Sequence, residues 1–221
     1  MHETVHQLNI INNKIKEIIE KKHLKTDPKI IAVTKTFPLE KIFPLLESGH
    51  VHYGENKIQE AEIKWTEIKK SYSKIKLHMI GKLQTNKAKK AIQMFDYIHS
   101  LDNLKLATKL SQYEKELNKK IKFFIQVNLS EEKQKSGVFL GELNNFYYHC
   151  INDLNLNIVG LMCLPPINLN SLSFFETLKN SSLKLKINDL SMGMSSDFEN
   201  AVSCGSTFLR LGTAIFGRRK T

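Results

Sequence analysis

The feature that most constrains the fold is a regular alternation of short β-rich runs with segments of helical spacing. The eight runs cover residues 30–33, 51–53, 76–80, 96–99, 122–127, 157–162, 188–191 and 207–211. Between consecutive runs the apolar residues recur at three- and four-residue steps, as at Leu39, Ile42 and Leu46. Alternating strands and helices predict an α/β fold with a parallel sheet. Eight such units in about 190 residues favour a closed TIM-type (β/α)8 barrel over an open sheet.

An additional helix precedes the first unit. Its apolar residues follow helical spacing at Val5, Leu8, Ile11, Ile15 and Ile18. This spacing predicts an N-terminal helix within residues 1–24, followed by a barrel over residues 29–217. A chain of 221 residues is long enough for one sizeable core and short for two full domains, so we expect a single domain over residues 1–221.

The chain is basic, with 33 Lys and Arg against 22 Asp and Glu and a formal net charge of +11. If the excess positive charge were clustered, it would indicate a nucleic-acid partner. The lysines are instead scattered over amphipathic segments, where they form the solvent-exposed face. A basic nucleic-acid binder remains one hypothesis, and we expect no specific nucleic-acid partner.

The lack of a recognisable targeting signal and the cysteine usage indicate an intracellular protein. No run approaches the roughly 20 apolar residues of a membrane span, and His2, Glu3 and His6 interrupt the region where a signal peptide needs an apolar core. We therefore expect a cytoplasmic protein with no membrane partner. The three cysteines are widely separated and contain no CxxC pair, which indicates reduced, buried side chains rather than a disulfide framework or a zinc site.

The working groups of a parallel barrel lie at the carboxyl ends of its strands. The residues that close the eight runs are polar and rich in Gly: residues 34–36, 54–56 and 81–84, Ser100, Asn128, Met162, residues 193–195, Gly212 and Thr213. We expect these residues to face one mouth of the barrel.

Lys35 follows an almost wholly apolar run and precedes Phe37 and Pro38, which are expected to begin the next helix. A surface lysine in a loop is one interpretation. The other is a lysine partly withdrawn from water, which has a lowered pKa and can condense with a carbonyl group as a Schiff base.

The ends of the last two strands indicate a phosphate site. Ser195 and Gly193 end one run, and Gly212 and Thr213 end the next, where backbone N–H groups are open to a ligand. Loops after the seventh and eighth strands form the usual phosphate site of this barrel. The alternative is that both glycines only make turns.

Arg210 lies two residues before Gly212, so both share one face of the strand, and the mouth requires that face to point inward. An inward arginine needs an acceptor, which could be an aromatic ring nitrogen beside a bound phosphate. The alternative is a salt bridge to an acidic strand end.

Three weaker candidates remain. His50 and His52 have no acidic or cysteine ligand at metal spacing nearby, so we assign no metal site and favour a solvated or capping role. Glu55 is either a pocket carboxylate or a surface ion-pair residue. Trp65 is expected to serve packing.

The chain resembles the YggS/PROSC family of pyridoxal phosphate homeostasis proteins in nine ordered segments. They are AVTKT (32–36), YGEN (53–56), HMIGKLQTNK (78–87), HSLD (99–102), IQVN (125–128), KSG (135–137), GLM (160–162), LSMGMS (190–195) and RLGTAIFG (210–217). The resemblance implies a monomeric or weakly associating barrel, similar to the alanine racemase N-terminal domain, that manages the cellular supply of pyridoxal 5′-phosphate (PLP).

The resemblance also implies roles for individual residues. Lys35 would form a covalent imine with PLP, while Ser195, Gly212 and Thr213 would hold the phosphate. Arg210 would face the pyridine nitrogen and Asn56 would lie near the ring. His78 and Met162 would belong to the pocket wall. No residue is assigned a catalytic role, and transient contact with apo PLP enzymes is expected.

The sequence departs from the family pattern at Lys82, where relatives usually carry His, and in a short loop over residues 165–174. A PLP-dependent amino-acid racemase-like enzyme is the alternative function. A racemase of this class resembles a barrel plus a second β domain, and this chain continues for only four residues after Gly217. We therefore expect no second domain and no enzymatic turnover.

Overall fold

A computed structural model describes residues 1–132, 134–166 and 169–218 of the protein. Residues 167 and 168 of the loop over residues 165–174 lie outside the described residues. What was predicted for that loop is therefore not addressed below.

Eight parallel strands close into a barrel, which confirms the predicted fold. The eight are β1 (Lys29–Val33), β2 (His52–Glu55), β3 (Lys76–Met79), β4 (Tyr97–Leu101), β5 (Lys122–Asn128), β7 (Ile158–Met162), β8 (Asp189–Met194) and β9 (Phe208–Leu211), and a short additional strand is β6 (Val138–Phe139). Around the barrel the order is β4, β3, β2, β1, β9, β8, β7 and β5, and pairing of β4 with β5 closes it. The two-residue strand β6 pairs with β5.

Helices alternate with the strands as the periodicity predicts. They are α1 (Glu3–Lys21), α2 (Leu39–Glu47), α3 (Ile58–Ser71), α4 (Ala88–Met94), α5 (Leu104–Glu116), α6 (Leu143–Tyr148), α7 (Ser171–Leu185), α8 (Phe198–Ser203) and α9 (Thr213–Phe216). Single 3₁₀ turns at Thr85–Lys87 and Leu140–Glu142 and a π turn at His149–Asp153 extend α4 and α6. The additional helix α1 buries Leu8, Ile11 and Ile15 and contacts α2, α8 and α9.

Strand β8 is longer than the sequence predicts. The predicted run ends at residue 191, two positions before Gly193, and glycine is depleted in strands. In the structure a bulge lies between Ser191 and Met194, and pairing resumes with Met194 opposite Arg210. Gly193 has φ of +93° in this bulge, and a Cβ there would lie 2.5 Å from Ala201 Cβ, so the position requires glycine.

The buried apolar residues form two groups. The larger group fills the space between the strands and the surrounding helices. The smaller group fills the barrel interior with Ile31, Tyr97, Phe124, Met162 and Phe208. All three cysteines are free and buried, as predicted. Of the helices in the described ranges, none is long and apolar enough to cross a membrane.

Candidate functional site

A cavity of about 1010 Å³ opens at the carboxyl ends of the strands. It brings together six of the eight predicted site residues from β1, β2, β8 and β9: Lys35, Asn56, Ser195, Arg210, Gly212 and Thr213. These residues lie up to 178 positions apart in the chain, between Lys35 and Thr213, so only barrel closure places them around one space.

His78 and Met162 do not belong to the described lining of this cavity, which corrects their predicted place in the pocket wall. Both side chains are fully buried in the barrel interior. His78 is the third residue of β3, and its ring stacks on Tyr97 with centroids 4.3 Å apart. Met162 packs with Phe124 and Phe208. Both therefore lie below the mouth rather than at it.

The opposite wall of the cavity comes from residues that the sequence did not assign to the site. Gln126 and Asn128 on β5 line it, together with Lys135 and Ser136 from the following loop. The side-chain amide of Gln126 donates to Ser136 O at 3.0 Å, and that of Asn128 donates to Lys135 O at 3.3 Å. Asn128 was predicted to face the mouth as a polar strand end, and the family-like segments 125–128 and 135–137 contain all four residues, but none was assigned a role. Exposed Lys82 also lines the cavity.

Lys35 is partly buried in the turn between β1 and α2, and both of its neighbours are held by α3. Lys64 Nζ donates to Thr34 O at 2.7 Å, and Glu60 Oε1 accepts from the backbone N–H of Thr36. Thr36 has φ of +65°, which is costly for a β-branched residue and persists only when surrounding contacts hold it. The Glu60–Lys64 ion pair, at 2.6 Å, joins the two contacts.

Glu55 supports the same turn from beneath: it does not line the cavity, and it forms an ion pair with Lys64 at 3.4 Å from a buried position rather than at the surface. Its carboxylate is fully buried, and Oε1 accepts from the Thr34 hydroxyl at 2.6 Å and from Trp65 Nε1 at 3.1 Å. Trp65 therefore does more than pack. Burial raises the pKa of Glu55, while Thr34, Lys64 and Trp65 oppose that shift.

The ends of β8 and β9 form a cradle of backbone N–H groups. Gly212 N and Ala214 N both donate to Ser195 Oγ, at 3.3 and 3.1 Å. A Cβ at Gly212 would make only ordinary contacts with Val33 at 3.6 Å, so packing does not require glycine there. Its missing side chain instead leaves that part of the cavity wall open, and Thr213 is exposed beside it.

Arg210 reaches the cavity from β9 with a side chain that is only 5% exposed. Its guanidinium donates to Ser191 Oγ at 2.7 Å and to Cys163 O at 2.8 Å. None of the ion pairs found among the described residues includes Arg210, so the alternative of a salt bridge to an acidic strand end is not seen there. Burial lowers the pKa of this guanidinium.

Asn56, directly after β2, lines the cavity where the backbones of the loops after β2 and β3 lie close together. A Cβ at Gly81 would lie 2.4 Å from Asn56 O, so glycine is needed for the loops after β2 and β3 to meet.

His50 and His52, at the start of the same strand, are partly buried and contact each other through His50 Nε2 and His52 O at 2.9 Å. Each keeps part of its surface exposed to solvent. Within the described ranges, no group of three or more His, Cys, Asp or Glu residues could hold a metal ion.

Known proteins resemble this chain over most of its length. The family model for the N-terminal domain of alanine racemase matches residues 8–220. The pyridoxal phosphate homeostasis protein of Haemophilus influenzae is 34% identical over 97% of this chain and 95% of its own length. The protein of that name from Synechocystis is 39% identical over 86% of this chain and 91% of its own. The chain belongs to the YggS/PROSC family of pyridoxal phosphate homeostasis proteins.

Solved structures agree with this family assignment. PipY of Synechococcus elongatus, 33% identical, has been solved without PLP and with PLP bound, and the two structures match with TM-scores of 0.82 and 0.80. Each match covers 92% of this chain and 100% of PipY. Alanine racemase of Clostridium difficile matches with a TM-score of 0.71 at 14% identity, which shows a shared barrel fold alone. This YggS/PROSC family chain spans 57% of that racemase.

Proposed function

We propose that the protein binds PLP in the cavity at the strand ends, joined to Lys35 as a Schiff base, and holds it for the cellular supply rather than for turnover. The observation that carries this proposal is the convergence of Lys35, the Ser195–Gly212 cradle and Arg210 on one cavity. The names of the relatives and the PLP-bound structure of PipY support it.

The cradle fits the phosphate of PLP. Two backbone N–H groups already converge on one oxygen, Ser195 Oγ, which shows that they are aimed at an acceptor. Phosphate oxygens are strong acceptors of such N–H groups, and the open wall at Gly212 lets them approach the backbone. Ser195 Oγ and Thr213 Oγ1 can add hydroxyl donors.

Lys35 and Arg210 fit the other two parts of the cofactor. Bound PLP supplies an aldehyde that condenses with a primary amine and a pyridine ring whose nitrogen accepts hydrogen bonds. Lys35 Nζ would attack the aldehyde carbon, so that a C=N bond forms and one water molecule leaves. Arg210 can only donate, so it would face an unprotonated pyridine nitrogen.

The wall across from Lys35 supports storage rather than turnover. β5 lies four strands from β1 in either direction around the barrel and presents the amides of Gln126 and Asn128. Amide side chains neither give up nor take up protons near neutral pH, so these two side chains offer no acid or base. The ionisable residues of the same wall, Glu132 and Lys135, are joined to each other in an ion pair.

The absorption spectrum of the purified protein with added PLP tests the proposal. A visible band that disappears on borohydride treatment, with a stable adduct mapped to Lys35 by mass spectrometry, is expected. A protein that takes up no PLP overturns the proposal. Incubation of the loaded protein with L-alanine in deuterated water tests turnover: Cα exchange at enzyme-like rates would indicate the racemase-like alternative.

Four expectations stay predictions: a single domain, a monomer, transient contact with apo PLP enzymes and no specific nucleic-acid partner. Sedimentation analysis tests the monomer, and transfer of PLP to an apo enzyme in a stopped-flow mixture tests the contact. Nucleic-acid binding at low salt should disappear near physiological salt, as expected for scattered lysines.

A further inference from the structure

Three imidazoles cross the barrel interior in one continuous hydrogen-bonded chain. His52 Nδ1 lies 2.9 Å from His78 Nε2, and His78 Nδ1 lies 2.9 Å from His99 Nε2. His99 Nδ1 lies 2.8 Å from Ser191 Oγ, which accepts from Arg210 at 2.7 Å. The chain therefore runs from the first residue of β2 to the arginine at the cavity.

The imidazoles of this chain are neutral near pH 7. His78 and His99 are fully buried, and burial lowers the pKa of both well below the ordinary value. Burial, together with the neighbouring charges, lowers the pKa of His52 to about 4. A neutral imidazole has one N–H donor and one bare nitrogen acceptor, so each ring can pass a hydrogen bond in only one direction.

Arg210 determines that direction. A guanidinium can only donate, so Ser191 Oγ is the acceptor in their contact. Among the described residues the other partner of Ser191 Oγ is His99 Nδ1, so the hydroxyl proton belongs on that hydrogen bond. If His99 Nδ1 instead donated to Ser191 Oγ, the buried hydroxyl proton of Ser191 would have no acceptor. An unpaired buried donor is destabilising, because it has lost its hydrogen bonds to water.

The tautomers of the three rings follow from this assignment. Because His99 Nδ1 accepts from Ser191, its proton is on Nε2 and is donated to His78 Nδ1. His78 then carries its proton on Nε2 and donates it to His52 Nδ1. His52 in turn carries its proton on Nε2. All three rings therefore have the same tautomer, and all donate away from Arg210.

We propose that Ser191, His99 and His78 are positioning residues that hold the Arg210 guanidinium at the cavity through this directed chain. The alternative is a packing role, in which the rings only fill space. His99 stacks on Phe124 with ring centroids 4.2 Å apart, and His78 stacks on Tyr97 with centroids 4.3 Å apart. Packing of that kind is indifferent to tautomer. The contribution to PLP binding rests on the proposed function, whereas the direction of the chain does not.

Nitrogen-15 NMR of the protein without PLP tests the direction. Protonated Nε2 and bare Nδ1 are expected in His52, His78 and His99, and a wild-type protein with Nδ1–H at His99 or His78 overturns the proposal. Ser191→Ala should give mixed tautomers at His99, because His99 Nδ1 loses the hydroxyl donor that fixes its tautomer. Ser206→Ala removes another buried hydroxyl, bonded to backbone carbonyls of β8, and should leave the tautomers unchanged.

PLP titration of two His99 variants tests the positioning. His99→Phe keeps an aromatic ring against Phe124 but no hydrogen bond, so PLP affinity should fall about tenfold, whereas His99→Gln, which can donate and accept, should stay within about threefold of wild type. Equal affinity of His99→Phe and wild type overturns the positioning role. If His99→Phe does not fold, Ser191→Ala is titrated in its place with the same tenfold expectation. A wild-type protein that takes up no PLP contradicts the proposed function. The NMR result then still decides whether the imidazole chain has the proposed direction.

Discussion

Two walls of the cavity are built in different ways. The β1 wall carries Lys35 in a turn held by charged side chains of another element, Glu60 and Lys64 of α3. The β9 wall is a cradle in which backbone N–H groups of Gly212 and Ala214 meet Ser195 Oγ. Side-chain support can be removed one contact at a time, whereas a backbone cradle is sensitive to added bulk. The two functions proposed for these walls, covalent attachment and phosphate retention, should therefore be separable by mutation.

Lys35→Ala should cause the largest change, complete loss of the visible imine band, because it deletes the amine of the β1 wall. The fold should survive, since the substitution removes no core volume. The β9 wall should still retain some PLP, measurable by equilibrium dialysis. Lys82→Ala, at another lysine of the cavity, is the control and should keep the band. A band that persists in Lys35→Ala would move the attachment site, with Lys82 the first residue to examine.

Mild acid should weaken both walls together, because it destabilises the barrel that carries them. Burial lowers the pKa of His50 to about 4, so between pH 6.5 and 4 the unfolded state takes up a proton that the folded state does not. The free energy of unfolding therefore falls as the pH falls through that window, by roughly 3 kcal/mol at pH 4 for this histidine.

Urea denaturation at pH 7, 6, 5 and 4 measures this loss. His50→Gln should reduce the pH dependence by this amount, leaving the part that comes from His52, His78 and His99, while His6→Gln, at an exposed position of α1, should not reduce it. A pH dependence that is the same in all three proteins would show that His50 does not contribute to it.

Gly212→Asp should weaken PLP binding about 100-fold by placing a side chain and a like charge in the β9 wall. Gly212→Ala should fold normally, because its Cβ meets Val33 at an ordinary 3.6 Å, and should bind PLP with an intermediate affinity. Pyridoxal, which lacks the phosphate, serves as the control ligand. Equal losses for PLP and pyridoxal would contradict a phosphate cradle.

Lys64→Met should have the smallest effect, slowing imine formation about tenfold with little change in phosphate-dependent retention. The substitution removes the 2.7 Å contact to Thr34 O and the ion pair to Glu60, so the turn that carries Lys35 is held less firmly. Stopped-flow absorbance gives the rate. Lys70→Met, which breaks an exposed ion pair on the same helix, is the matched control. A rate equal to wild type in Lys64→Met would show that α3 does not position the lysine.

Strand periodicity predicted that Arg210 and Gly212 point inward, and the family resemblance implied a place in the pocket wall for His78 and Met162, but neither predicted how deep a side chain lies. Arg210 and Gly212 share a face two residues apart, and both line the cavity as predicted. His78 and Met162 also point inward, yet they lie below the mouth. Depth depends on how far each strand extends toward the mouth and on the stagger between strands, and neither quantity is local in sequence.

The sequence by itself determined the alternation of strands and helices, the inward face of the last strand and the polar residues that end the strands, because each of these follows from local periodicity and residue chemistry. The tertiary structure decided the rest. The support of Lys35 by Glu60 and Lys64, the buried partners of Glu55 and the imidazole chain to Arg210 join residues from different βα units. Such contacts exist only once the barrel closes, because closure fixes the distances between strands that no local pattern encodes.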